Sequence, residues 1–138
     1  MSTMDRDLGW LLDRLANRTP GIRHVLVLSK DGLKICHTPD LDEDRADQLA
    51  ALASGIQSLA VSASAEFGHT PGSGQSMVEF HGGILLIVPA GEGSHLAVIT
   101  ADECDVGLIG HTMNQLVEQI GGRLTAPPLG RGGGAGPA

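Results

Sequence analysis

The chain has 138 residues, enough to bury one core without disulfides or metals. With 41% apolar and 18% charged residues it has a globular composition, and a net charge of −7 without a basic cluster makes it a poor candidate for nucleic-acid binding. Aromatic residues are scarce: Trp10, Phe67 and Phe80 are the whole set, which argues against a pocket built to stack flat ligands.

The longest apolar run, Ile84 to Val88, is too short to cross a bilayer. The opening residues lack the basic-then-apolar pattern of a secretory leader, so a cytoplasmic location is expected. Cys36 and Cys104 form no CxxC and read as reduced, buried structural thiols.

In chain order the first element is a helix over 4–18, where Leu8, Leu11, Leu12, Leu15 and Ala16 recur at helical spacing. Trp10 lies off that stripe, and Asn17-Arg18-Thr19-Pro20-Gly21 stops the helix. Ile22 to Leu28 is a strand, apolar on both faces from Val25 to Leu28, as a doubly covered central strand should be. Ser29-Lys30-Asp31-Gly32 is a hairpin turn, and the residues from Leu33 to Thr38 alternate as a half-exposed edge strand.

A long helix then runs to about Phe67, with Asp40 and Glu43 spaced as a capping box. Its expected core stripe is Leu49, Leu52, Ala53, Ile56, Ala60, Ala63 and Phe67. The opposite face carries Asp47, Ala51, Ser54, Ser58, Ser62 and Ala65, and is small and nearly uncharged after its first turn. Solvated helix faces normally carry Lys and Glu, so this one is expected to meet another surface.

Residues 68–74 are a glycine-rich loop. Three strands follow over 75–81, 84–88 and 95–100, joined by turns so tight that the neighbours must be antiparallel. A last helix starts between Asp102 and Asp105, buries Val106, Ile109, Met113, Leu116, Val117 and Ile120, and is capped by Gly121-Gly122. The expected organisation is one domain over 1–124 and a disordered Gly/Pro-rich tail over 125–138. The fold class is α/β in the α+β sense: a five-stranded antiparallel sheet with helices on both faces, in the order α-β-β-α-β-β-β-α.

No constellation for catalysis stands out. The six histidines have no zinc-ligand spacing. The acidic cluster of Asp40, Asp42, Glu43, Asp44 and Asp47 lacks a calcium-loop pattern and reads as charge at a helix start, or as a contact for a basic partner surface. Gly72-Ser73-Gly74 follows a helix and precedes a strand, the reverse of what a phosphate cradle needs. No enzyme activity, catalytic residue, cofactor or metal is therefore expected.

Taken together, the opening helix, the segment from Pro20 to Leu33 with its Asp-Gly turn, the alanine-rich helix from Ala46 to Ala65, the strand from Ile84 to Val88 and the closing helix resemble the roadblock/dynein light chain family. The likeness spans 4–124 and is strongest to the small actinobacterial proteins of operons that also hold a sensor-kinase-like protein and a Ras-like GTPase. It implies a roadblock/profilin-like fold and a homodimer. The long helix would meet its twofold mate through Ala46, Ala50, Ser54, Gln57, Ser58 and Val61, and the third strand its counterpart through Ser76, Val78 and Phe80. It also implies binding to a small Ras-like GTPase, with Asp44, Arg45, Asp47, Gln48 and Ala51 as the contact. Arg45 reads as a surface residue of the helix start rather than an inserted arginine finger. The other open reading is a profilin-like or PAS-like sensory module that binds a small ligand between sheet and helix.

Overall fold

The computed structural model describes residues 3–70, 74–91 and 93–124. The expected tail over 125–138 and residues 71–73 of the glycine-rich loop lie outside the described residues. The elements are α1 (Thr3–Arg18), β1 (Ile22–Ser29), β2 (Lys34–His37), α2 (Glu43–Phe67), β3 (Ser76–Phe80), β4 (Gly83–Pro89), β5 (Ser94–Ala101) and α3 (Val106–Leu124). This is the expected order, and the five strands form one antiparallel sheet in the spatial order β2-β1-β5-β4-β3.

Alternation along the central strands divides the core in two. Val25 and Val27 of β1, Ile84, Leu86 and Val88 of β4, and Leu96 and Val98 of β5 face α1 and α3, where they meet Leu8, Leu12, Ile109, Met113 and Ile120. Leu26, Leu28, Leu85, Ile87 and Ala97 face the other way, onto α2. Both cysteines are half-buried thiols rather than fully buried ones.

The α2 layer departs from the expected packing. The residues that touch the sheet are Ala46, Leu49, Ala50 and Ala53, with Gln57 buried beside them and Ile56, as expected, half-buried against the same cluster. Leu52 and Phe67, expected in the core, are exposed, and Leu59 is exposed as well. Alanine at the contact lets the helix backbone lie close to the central strands, and that approach rotates the larger side chains out to the flanks. Two helix ends also differ from expectation. The N-cap of α2 is Asp42, whose carboxylate accepts from the Arg45 backbone N–H at 2.8 Å, in place of an Asp40 and Glu43 box. Helix α3 runs through Gly121-Gly122 to Leu124.

The two sheet edges are unlike. β2 is only four residues long, its pairing to β1 shifts register between Val27 and Leu28, and its Lys34 is tied to α2. β3 has β4 on one side and no strand among the described residues on the other, and its residues from Met77 to Phe80 are exposed. At the β3–β4 turn the Phe80 ring lies over Gly83. A Cβ at Gly83 would fall 2.8 Å from that ring and 2.5 Å from the Thr100 carbonyl oxygen, so only glycine fits there.

Candidate functional site

The first turn of α2 is locked to β2 by charge. Lys34 donates to the Asp47 carboxylate and pairs with Glu43 at 3.2 Å, while His37 Nε2 lies 3.3 Å from the other Glu43 oxygen. Hydrogen bonds to Asp47 and then Glu43 hold the Lys34 pKa above its ordinary value. Those from Lys34 and then His37 hold Glu43 below the usual glutamate range. His24 Nδ1 lies 3.4 Å from Asp40, an ion-pair distance outside good hydrogen-bond geometry. The acidic cluster thus serves largely as an intramolecular clamp, a use that only the fold reveals.

The sign of its pH dependence follows. The lowered Glu43 pKa contributes stability that is present above the unfolded-state value and is lost as pH falls through the folded one. Lys34 contributes below its unfolded value and loses that contribution as pH rises through its raised folded value. Glu43→Gln is therefore expected to lower stability slightly at neutral pH, with the difference from wild type vanishing in acid. Urea unfolding at a series of pH values measures it, and a difference that persists below the folded pKa contradicts the clamp. Both groups are at the surface, so the effect is small.

Above the clamp, Asp44, Arg45, Asp47, Gln48 and Ala51 are all exposed on the N-terminal half of α2. Arg45 and Gln48 share a shallow cleft of about 210 Å³ with Arg23, His24, Leu52, Phe80 and Ile99. Asp47 is engaged by Lys34 and turns toward β2. The five expected contact residues therefore lie along one helix end but look in two directions.

The expected subunit-contact residues separate into three groups. Ala46 and Ala50 are fully buried under α2, and Gln57 is buried there too, so these three belong to the chain's own core. Ser54, Ser58 and Val61 lie on the flank toward the β1–β2 turn, where the Ser54 hydroxyl donates to the Lys30 carbonyl. Val78 and Phe80 are exposed on β3, with Ser76 half-buried beside them. The register places Val78 opposite Leu85, hence on the α2 face of the sheet.

Sequence reasoning missed the flank of α2 that turns toward β3. Leu52, Leu59 and Ala63 are exposed there at helical spacing, with half-buried Ile56 at their inner border, and Leu52 reaches the cleft that Phe80 lines. Leu52 and Ala63 were expected in the core stripe, and Leu59 was not singled out. Leu52 and Phe80 join this exposed apolar flank to an edge strand that carries exposed Val78 and that no further described strand pairs.

The family model described as Roadblock/LC7 domain matches residues 8–100. The chain belongs to the Roadblock/LC7 family. The crystal structure of a Roadblock/LC7 domain from Streptomyces avermitilis is 37% identical, covers 86% of this chain and 98% of its own, and superposes with a TM-score of 0.81. An uncharacterized protein of Methanocaldococcus jannaschii is 36% identical over 113 residues, 80% of this chain and 93% of its own length. MglB of Myxococcus xanthus shares the Roadblock/LC7 fold at 18% identity, with a TM-score of 0.73 over 86% of this chain and 94% of its own. No helix among the described residues is long and apolar enough to cross a membrane.

Proposed function

We propose that residues 1–124 act as a homodimeric adaptor that binds a small Ras-like GTPase and modulates its nucleotide cycle within a cytoplasmic signalling complex, alongside a sensor-kinase-like protein. The observation that carries this reading is the apolar flank of α2 running into the open edge of β3. An uncovered edge strand pairs readily with another strand, and the same edge on a second copy is self-complementary across a twofold axis. In that pair Ser76, Val78 and Phe80 meet their counterparts, and Leu52, Ile56 and Leu59 supply the helix contact in place of Ala46 and Ala50. The GTPase then docks on the N-terminal half of α2, over Asp44, Arg45, Gln48 and Ala51. Membership of the Roadblock/LC7 family supports the adaptor role, and the chain contributes no catalytic group of its own.

The test is GTP hydrolysis and nucleotide release by a small Ras-like GTPase, with and without this chain. A changed rate is expected, and Arg45→Ala is expected to keep most of the change, whereas loss of an arginine finger removes about 10³–10⁵-fold. Unchanged rates with no complex overturn the reading. Unchanged rates within a tight complex leave a scaffold only.

A further inference from the structure

On the side of α2 away from β3, a cleft of about 220 Å³ opens between the helix and the sheet, lined by Lys30, Ser54, Gln57, Ser58, Val61 and His95. Its walls are fixed. The Lys30 backbone N–H donates to the Gly93 carbonyl at 2.9 Å, and its carbonyl accepts the Ser54 hydroxyl at 3.3 Å.

Two buried polar atoms here have no hydrogen-bond partner among the described residues: Gln57 Nε2 and His95 Nδ1. Gln57 is only 4% exposed. Its Oε1 accepts the Ser76 hydroxyl at 2.7 Å on the β3 side, which leaves the amide NH₂ for the cleft. Folded proteins rarely leave such groups unmet, and two in one six-residue cleft point to an occupant.

The chemistry of the lining names its class. The amide NH₂, the Lys30 ammonium and the Ser58 hydroxyl are its donors, the Ser54 hydroxyl having given its proton to the Lys30 carbonyl, and no carboxylate among the described residues lines the cleft. Such a lining suits an acceptor with negative charge. Lys30, the one cation among the described residues of the lining, matches one negative charge, while a dianionic phosphate calls for more. Val61 adds an apolar wall for a short aliphatic end. We infer that this cleft binds a small monocarboxylate, its oxygens held by Gln57 Nε2 and Lys30 Nζ and its carbon chain against Val61. The site depends neither on dimer formation through β3 nor on the GTPase.

The experiment is an NMR titration of the full chain with sodium butyrate, with sodium phosphate and sodium chloride at matched ionic strength as separate arms. Butyrate is expected to give saturable shifts at the Gln57 side-chain amide and the His95 ring, with phosphate and chloride giving no saturation. Lys30→Met, a change at an exposed turn that keeps the fold, is expected to weaken butyrate binding at least tenfold. Absence of saturable shifts, as when water alone occupies the cleft, overturns the inference. So does equal saturation by phosphate, or a Lys30→Met chain that binds butyrate unchanged.

Discussion

Leu59→Asp is expected to leave the chain folded but to hold it at the mass of one chain, 14.2 kDa, in sedimentation equilibrium, where the wild-type chain is expected to run as the proposed dimer. Leu59 is 71% exposed in the isolated chain, so a carboxylate there meets water and costs the fold little. In a twofold pair the same position lies in the contact. It occurs twice, and each copy buries a charge without a partner. A loss of about 2 kcal/mol at each of the two copies weakens association about a thousandfold. Leu33, 67% exposed in the turn beside β2, is the control: Leu33→Asp is expected to leave the dimer intact. A wild-type chain that stays monomeric at high concentration, or a Leu59→Asp chain that still pairs, refutes the interface.

The second large effect separates two adjacent alanines. Ala50→Asp is expected to unfold the α2 layer, and Ala51→Asp to change stability by no more than about 0.5 kcal/mol. Ala50 has no exposure and packs on the sheet among Leu26, Leu28, Leu85 and Ile87. A carboxylate there is both too large and unpaired, and such combinations cost about 4 kcal/mol or more. Ala51, one residue on, points to solvent. Thermal melts compare them. Equal melting temperatures would mean that α2 sits on the sheet by a different face. Ala51→Asp, still folded, then serves as a probe of the proposed GTPase contact.

The order of elements was legible because each carries its own period: alternation or a doubly apolar run for the strands, recurrence every three or four residues for the helices. Asp-Gly and the paired glycines marked the turns. The orientation of α2 was not legible. Pattern reasoning assigns the larger apolar residues to the core, but a helix laid close over a flat sheet selects alanine for the contact and turns Leu52 and Leu59 outward. The expected stripe held Leu49, Ala53 and Ile56 correctly but took in Leu52 and Phe67 and left out Ala46 and Ala50. Which residues face inward depends on how near the sheet lies, and no local pattern encodes that distance. The same is true of Gln57, whose bond to Ser76 joins residues 19 positions apart. Likewise Glu43 could have capped its helix, but Lys34 and His37 across the sheet edge claim its carboxylate.

The inequality of the two sheet edges limits how far assembly can go. In the proposed dimer, pairing through β3 would join two open margins and use up both, leaving at each outer end a β2 that is short, irregularly paired and fastened by Lys34 to its own helix. Such a terminus offers little to a third molecule, so strand addition by this route is expected to close at a finite particle and not to propagate into a fibre.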